Sequence, residues 1–177
     1  MAVQIPIPGI TAEEARACKE VLLAQEETLR YPTRFGAAEA LELGLAFARR
    51  VPALPSGVSV TITRERDGVV MFQWVADDKD VRNLEFAEGK RQAALKAGHA
   101  GPWAQIEMLE TGETEGMWDR VPAYVPAGGA FPIRVGDEWV ATLAISGLAV
   151  GCDHELVVSV LEEVLGRRVP RFACVII

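Results

Sequence analysis

Three side chains in the middle of the chain are suited to binding a planar anion. Asn83, Phe86 and Lys90 stand at positions i, i+3 and i+7, so a helix through this segment places them on one face. That face offers an amide, an aromatic ring and an ammonium group in a row, which together can hold an anionic, planar ligand. The alternative interpretation is a mixed, solvent-exposed face, because the acidic residues around the segment balance its Lys and Arg residues.

Both histidines of the chain lie next to predicted helix ends. His99 follows the end of one helix among small residues, where a ligand can approach and the helix C-terminus favours the imidazolium form. His154 follows Asp153, the predicted N-cap of the last helix, and lies two residues from Cys152. A cysteine near a helix N-terminus can react as a thiolate, but the charge of Asp153 opposes the required fall in its pKa. The alternatives are a His99 that caps its own helix and a Cys152 that is an ordinary buried thiol.

The glycine pair Gly128-Gly129 precedes a predicted strand and leaves the backbone bare. A ligand or a second chain can come close to such a segment. An equally good interpretation is a flexible entry into a hairpin.

Several common catalytic motifs are absent from the sequence. Gly89-Lys90 is followed by Arg91 where a phosphate-binding P-loop requires Ser or Thr, and no Gly-x-Gly-x-x-Gly follows a predicted strand. Val158 stands where a His-Glu-x-x-His zinc motif starting at His154 requires its second histidine. There is no Cys-x-x-Cys, and two histidines cannot form a catalytic metal site of three. We therefore expect no nucleotide, zinc or covalently attached haem.

The chain is acidic, which restricts its partners. Its 177 residues include 18 Lys and Arg against 25 Asp and Glu, for a net charge of −7. Without a basic block we expect no nucleic-acid binding. No apolar run reaches the roughly 18 residues of a membrane span, and the N-terminus lacks the basic and apolar regions of a signal peptide. The three cysteines are an odd, scattered count, which is typical of reduced thiols. The sequence thus predicts a cytoplasmic protein without a membrane partner.

Periodicity and turn residues predict an α+β fold of one domain. Hairpins rather than parallel crossovers connect the strands, so the sheet should be antiparallel with helices packed on it. The predicted helices are 12–29, 35–51, 80–97 and 153–166, and the predicted strands are 58–63, 69–75, 102–110, 131–135 and 139–146, with a polar loop or short helix at 111–120.

Short local motifs mark the ends of these elements. Thr11 and Glu14 form a capping box for the first helix. Asp67-Gly68 indicates a hairpin of type I′, in which both residues have positive φ. Gly98 is the expected C-cap of the third helix.

Four segments carry a resemblance to a known family, and they include the candidate residues above. These segments are Phe35…Ala40…Leu43-Gly44, Asn83…Lys90-Arg91…Gly98-His99-Ala100, Gly128-Gly129-Ala130-Phe131-Pro132-Ile133 and Ile145-Ser146-Gly147-Leu148…Asp153-His154. In them the chain resembles the haem-degrading-domain family, which includes GlcG-like and HbpS-like proteins, and is most similar to its stand-alone branch. On this basis residues 1–34 form an arm and helix, 35–166 the family core, and 167–177 an apolar tail.

The resemblance implies a profilin-like fold, an antiparallel sheet flanked by helices, and homo-oligomers. Some relatives bind haem, so the resemblance implies haem as one candidate cofactor. The sequence departs from the branch at Phe86, where tryptophan is usual, and at Ala100-Gly101, where two serines are usual. Losing these hydroxyls removes polar contacts beside His99.

We expect an oligomeric protein that binds a small anionic or tetrapyrrole ligand. Asn83, Lys90, His99 and His154 are its expected ligand-binding residues, with His99 as the axial ligand if haem binds. One alternative is an oligomeric protein-interaction scaffold without catalysis, and another is an enzyme that uses Cys152 with His154.

The expectation of a homo-oligomer also rests on apolar surface near the C-terminus. The last helix carries apolar residues around most of its circumference, and the chain ends in Phe172-Ala173-Cys174-Val175-Ile176-Ile177. A second copy would cover this surface. The alternative is a tail that folds back as a strand on its own sheet.

Overall fold

The computed structural model describes residues 10–112, 123–149 and 151–172. Within them the chain forms five α-helices, a short 3₁₀ helix and four β-strands. In chain order these are α1 (Ala12–Thr28), α2 (Ala37–Arg50), the 3₁₀ helix (Val51–Ala53), β1 (Ser59–Arg64), β2 (Val70–Val75), α3 (Val81–Ala97), α4 (Gly101–Thr111), β3 (Ala130–Val135), β4 (Glu138–Ser146) and α5 (Cys152–Leu165).

The four strands form one antiparallel sheet in the order β2-β1-β4-β3. Helix α3 packs on one face of this sheet, and α2 and α5 pack on the other. In the two central strands, apolar residues pair with apolar residues and polar with polar, since Ile62 of β1 is paired with Leu143 of β4 and Ser59 is paired with Ser146. Paired residues point to the same face of the sheet. The α+β fold with an antiparallel sheet, expected from the hairpins, is confirmed.

The two faces of the sheet have different chemistry. Val60, Ile62, Leu143 and Ile145 join the large apolar core shared with α2 and α5. The opposite face holds small and polar residues, and the Ser59 hydroxyl donates to the carbonyl of Asn83 in α3 at 3.1 Å. The α3 side is therefore the face where polar side chains can be buried against the sheet.

Four alanines let α3 lie close to the sheet. Ala87 and Ala94 of α3 pack on Ala130 of β3 and Ala144 of β4. Lys90 lies between these two helix alanines at spacings of three and four residues, so it shares their face. This spacing directs its long side chain toward the sheet.

Residues 102–110, predicted as a strand, form most of α4 instead. Pro102 lies in the first turn, where its missing N–H costs nothing, and Gly112 ends the helix with a φ of 71°. Buried residues occur on nearly every side of this helix, among them Ala104, Gln105 and Ile106. Burial on all sides removes the amphipathic period by which a helix is recognised.

Local signals at the other element ends are mostly confirmed. Thr11 and Glu14 form the capping box of α1, and Gly98 ends α3 with a φ of 76°. The type I′ prediction at Asp67-Gly68 is wrong, because only Gly68 has a positive φ and the connection from Arg64 to Val70 is longer than two residues.

Two predictions about the last helix are also wrong. Gly151 is its N-cap, and the side chain of Asp153 is used elsewhere. Most of its apolar residues are covered within the chain: Leu156, Val157, Val158, Val160 and Leu161 are buried, and Val164 and Leu165 are partly buried. Most of the predicted 111–120 loop and residues 173–177 of the apolar tail lie outside the described residues.

Among the described residues, no helix is long and apolar enough to cross a bilayer.

Candidate functional site

Asn83 occupies the first turn of α3, where it helps to begin the helix. Its Oδ1 accepts from the backbone N–H of Asp80 at 3.3 Å, and the Asp80 side chain accepts from the N–H of Arg82 at 2.9 Å. This reciprocal pair is a capping box. Because Oδ1 is used in the cap, the amide nitrogen is the group that Asn83 offers to a ligand.

Lys90 lies two turns further along α3 and is buried, with 5% of the residue exposed. Its Nζ is 2.5 Å from Oδ2 of Asp153 and donates to the carbonyl of Ile145 at 3.3 Å. The other oxygen of Asp153, Oδ1, accepts from the backbone N–H of Leu148 at 3.1 Å. Burial raises the pKa of Asp153, while the charge of Lys90 and these hydrogen bonds oppose that rise. The pair joins α3 to the start of α5.

A cavity of about 350 Å³ opens beside this pair, between α3 and the segment that connects β4 to α5. Its volume is at the small end of the range for ligand-binding pockets. Its lining residues are Asn83, Phe86, Lys90, Ala127, Gly128, Ser146, Gly147, Leu148, Gly151 and Asp153. We call it the Lys90 cavity.

Gly129 shapes the wall next to the Lys90 cavity. Its φ of 120° is rare for residues with a side chain, and its carbonyl accepts from the N–H of Ile145 at 2.8 Å. A Cβ at this position would lie 2.6 Å from the carbonyl oxygen of Ile145 and 3.2 Å from Nζ of Lys90. Glycine is therefore required for the strand and the lysine to approach each other.

His99 lies outside the Lys90 cavity. Its Nδ1 is 3.1 Å from Oε2 of the buried Glu26, and its ring stacks on Trp103 with centroids 3.9 Å apart. The other oxygen of Glu26 accepts from the N–H of Ala100 at 2.7 Å, which fixes the carboxylate. A neutral imidazole that donates from Nδ1 to Glu26 keeps the Nε2 lone pair for another partner.

His154 is buried in the apolar core and does not line the Lys90 cavity. Its Nε2 is 2.8 Å from Oε1 of Gln25, whose amide nitrogen donates to the carbonyl of Pro170 at 2.9 Å. Phe131 and Phe172 pack near its ring, and its Nδ1 has no hydrogen-bond partner among the described residues. This environment is that of a structural histidine.

Burial should make the stability of the fold depend on the charge of His154. Burial, with the nearby Arg171 charge, lowers the pKa of His154 from 6.5 to about 3. The unfolded chain takes up this proton near pH 6.5 and the folded chain does not, so acid favours unfolding. We expect the free energy of unfolding to fall by up to about 1.4 kcal/mol per pH unit on acidification below pH 6.5.

Urea unfolding at a series of pH values measures this slope. A His154→Asn variant should be less stable at neutral pH but should have a flatter profile. A His154→Asn profile as steep as the wild-type one contradicts the prediction.

Cys152 and His154 are not arranged as a catalytic pair. They are two residues apart on α5, and side chains at this spacing point to different sides of a helix. Cys152 is exposed, so the interpretation of it as a buried thiol is wrong, and it lines a separate cavity of about 810 Å³ beside α2. His154, by contrast, is buried against Gln25. The structure therefore gives no support to an enzyme that uses these two residues.

The structure brings Asn83, Phe86 and Lys90 together, as their spacing predicts, but places His99 and His154 elsewhere. Asp153 and Ser146 are lining residues that the sequence reasoning did not assign to the site. Both occur in the segment Ile145–His154 that carries the family resemblance. The sequence predicted Asp153 as a helix N-cap, so its pairing with Lys90 was not predicted.

Sequence comparison identifies the family. The family model described as "Haem degrading protein HbpS-like" matches residues 35–162. A UPF0303 protein of Burkholderia mallei is 32% identical over 148 residues, covering 82% of this chain and 88% of that relative. The chain belongs to the HbpS-like family. This confirms the resemblance seen in the sequence.

Solved structures show the same HbpS-like fold. The crystal structure of Ybr137w protein has a TM-score of 0.73 at 23% identity, covering 88% of this chain and 95% of that one. The structure of a PduOC:heme complex has a TM-score of 0.60 at 18% identity, covering 80% of this chain and all of that one. Likeness at these identities establishes the shared fold.

This HbpS-like chain has a residue type that can serve as an axial haem ligand at His99 but not in the lining of the Lys90 cavity. Haem iron takes an axial ligand from His, Cys, Met or Tyr, and the described lining of the Lys90 cavity has none of these. His99 does provide a suitable group, because Glu26 orients the ring and keeps Nε2 for a metal. Among residues 10–112, 123–149 and 151–172, no cluster of His, Cys, Asp and Glu could hold a free metal ion.

Proposed function

We propose that this protein binds a small ligand with an anionic group and a planar part in the Lys90 cavity. The observation that carries the proposal is the chemistry of the lining. Asn83, Lys90 and Ser146 supply side-chain donors, whereas the carboxylate of Asp153 already accepts from Lys90 and Leu148. The remaining hydrogen-bonding capacity therefore favours a ligand rich in acceptors, such as a carboxylate.

The rest of the lining supports a small ligand with a flat apolar part. Phe86 offers an aromatic ring, and Gly128, Gly147 and Gly151 leave the backbone accessible. A volume of about 350 Å³ limits the size of the occupant. An aromatic or short-chain carboxylate satisfies both the size and the donor pattern.

A thermal-shift series with benzoate, phenyllactate and the neutral benzyl alcohol tests the proposal. A ligand that binds only the folded state raises its melting temperature, so the two carboxylates should raise the Tm and the alcohol should not. Phe86→Ala should abolish the rise, while Phe35→Ala, outside the cavity, should keep it. If no carboxylate raises the wild-type Tm, or if Phe86→Ala leaves the rise unchanged, the proposed site is wrong.

Haem is a second candidate ligand, and the geometry of His99 supports it. Its Nε2 is kept for a metal by the Glu26 contact, so His99 is the residue that would hold the iron. Adding haem to the same series separates the two sites. His99→Ala should abolish a Soret shift and leave the carboxylate effect intact, whereas a shift that survives His99→Ala removes this residue from the haem site.

We infer that the protein is also a homo-oligomer, from an apolar surface near one edge of the sheet. Strand β2 is an edge strand, and its Val70 is 50% exposed. Leu41 and Leu45 of α2 are also exposed, and Gly44 between them contacts the ring of Phe72 in β2. An uncovered edge with apolar residues beside it is a typical site of association.

Light scattering tests the association. We expect a wild-type mass above the 19.2 kDa of one chain, and a lower mass for Val70→Lys, because a charge on the edge opposes pairing. Val81→Lys, at an exposed position at the start of α3, is the control and should keep the wild-type mass. A wild-type peak at the mass of one chain contradicts the inference and leaves ligand binding as a property of single chains.

A further inference from the structure

We propose that Lys90 is an amine nucleophile and that the ligand of its cavity carries an aldehyde or ketone group, which condenses with Nζ to form an imine. This inference rests on the proposed function, because it uses the same cavity. It adds the chemical class of the ligand and a covalent step.

The position of Lys90 distinguishes it from the other lysines. The chain has four, at positions 19, 79, 90 and 96. Lys90 is 5% exposed and lines the Lys90 cavity, whereas Lys96 is exposed near the end of α3. Amines that form imines in proteins are typically those removed from water, because burial disfavours the protonated form.

Asp153 is placed to move the proton that the condensation requires. Its Oδ2 is 2.5 Å from Nζ, within direct transfer distance. Burial disfavours the charged form of this carboxyl, which favours its taking up a proton. Asp153 can therefore deprotonate the ammonium group and later return the proton.

The step balances without any further reactant. The free Nζ attacks the carbonyl carbon and the carbonyl oxygen becomes a hydroxyl group, giving a carbinolamine. This hydroxyl leaves as water with the proton returned by Asp153, while nitrogen forms the C=N bond. The net reaction is carbonyl compound plus amine to imine plus water, and no oxidant or reductant is involved.

The surroundings of Nζ leave room for the new bond and favour an anionic carbonyl compound. Gly128 and Gly147 line the cavity, and neither has a side chain that would obstruct the approach of a ligand to Nζ. The donors of Asn83 and Ser146 suit a carboxylate next to the carbonyl group. The ligand class that follows is a small 2-oxo acid or an aldehyde with an acidic substituent.

Reductive trapping with phenylpyruvate and sodium cyanoborohydride tests the proposal. Hydride reduces an imine to a stable secondary amine, so the protein should gain the mass of phenylpyruvate less one oxygen atom. Peptide mapping should place this mass on Lys90, with saturation as phenylpyruvate is increased. Unspecific chemistry would instead label the exposed Lys96, so a label on Lys96 with Lys90 unmodified overturns the inference.

Two variants examine the role of each partner. Asp153→Asn keeps an oxygen near Nζ but cannot take its proton, so trapping at Lys90 should slow. Lys90→Arg keeps the positive charge and should lose the label at this position. Circular dichroism confirms that each variant is folded, and the site of labelling in the wild-type protein decides the question if either is not.

Phenyllactate separates this inference from the proposed function. It has the same carboxylate and ring but a hydroxyl group in place of the ketone, so it can bind and cannot form an imine. If phenyllactate raises the Tm and phenylpyruvate is not trapped, the imine is wrong and ligand binding stands. If phenyllactate has no effect and phenylpyruvate is not trapped, both fail.

Discussion

Lys90→Met is expected to lower the free energy of unfolding by about 3–5 kcal/mol, because it leaves the carboxylate of Asp153 buried without its cation. Both partners of this pair are nearly inaccessible to water, with side chains 7% and 6% exposed. Asp153→Leu should cost a similar amount, since it leaves the ammonium group unpaired.

The double variant Lys90→Met/Asp153→Leu should be more stable than either single variant. Replacing a whole buried ion pair by apolar residues is often neutral, because both desolvation costs disappear. A remaining loss of about 1 kcal/mol is expected from the Leu148 N–H, which loses its acceptor Oδ1. Urea unfolding of the four proteins gives the coupling energy, and additive losses would show that the two side chains do not act as a pair.

Gly129→Ala should lower the free energy of unfolding by about 2–5 kcal/mol. A positive φ costs a residue with a Cβ about 1–2 kcal/mol, and forcing an atom into a packed site costs about 1–3 kcal/mol more. The second cost arises because the new Cβ would lie 2.6 Å from the carbonyl oxygen of Ile145, a backbone atom that cannot rotate away. Strand β4 and the segment before β3 would have to separate.

Gly136→Ala tests a positive φ without a steric contact. Gly136 has a φ of 60°, and a Cβ there would have no atom within 4 Å. We therefore expect a loss of only about 1–2 kcal/mol, measured by urea unfolding under the same conditions. Equal losses for the two variants would mean that the contact with Ile145 is unimportant.

The elements of the sheet and most helices follow from local sequence signals. The strand period of β1, the capping box of Thr11 and Glu14 and the C-cap at Gly98 depend on neighbours in the chain, so a sequence pattern shows them directly. Residues 102–110 were misassigned because α4 is buried on nearly every side. Because α4 has no polar face, its sequence shows neither the hydrophobic period of a helix nor that of a strand.

Only part of the candidate site could be predicted from the sequence, because some of its contacts join residues that are distant in the chain. Asn83, Phe86 and Lys90 share one helix face, and helical spacing reveals such a set. Asp153 is separated from Lys90 by 63 residues, and their contact depends on how α3 and α5 pack on the sheet. A local pattern showed only an acidic residue near a helix start, which is the usual signature of a cap. His99 and His154 were grouped with the site through family resemblance, and packing placed them apart.

The fully buried Gln25 connects residues inside the region matched by the family model with residues beyond its C-terminal end. Its side chain bonds to His154, inside the matched residues 35–162, and to the carbonyl of Pro170 beyond them. Leu22 and Leu29, which also precede that region, belong to the main apolar core, where each contributes about 1.5–3 kcal/mol by burial. A gene trimmed to residues 35–162 for expression would thus encode an incomplete core. The shortest practical chain begins before α1 and extends past Pro170.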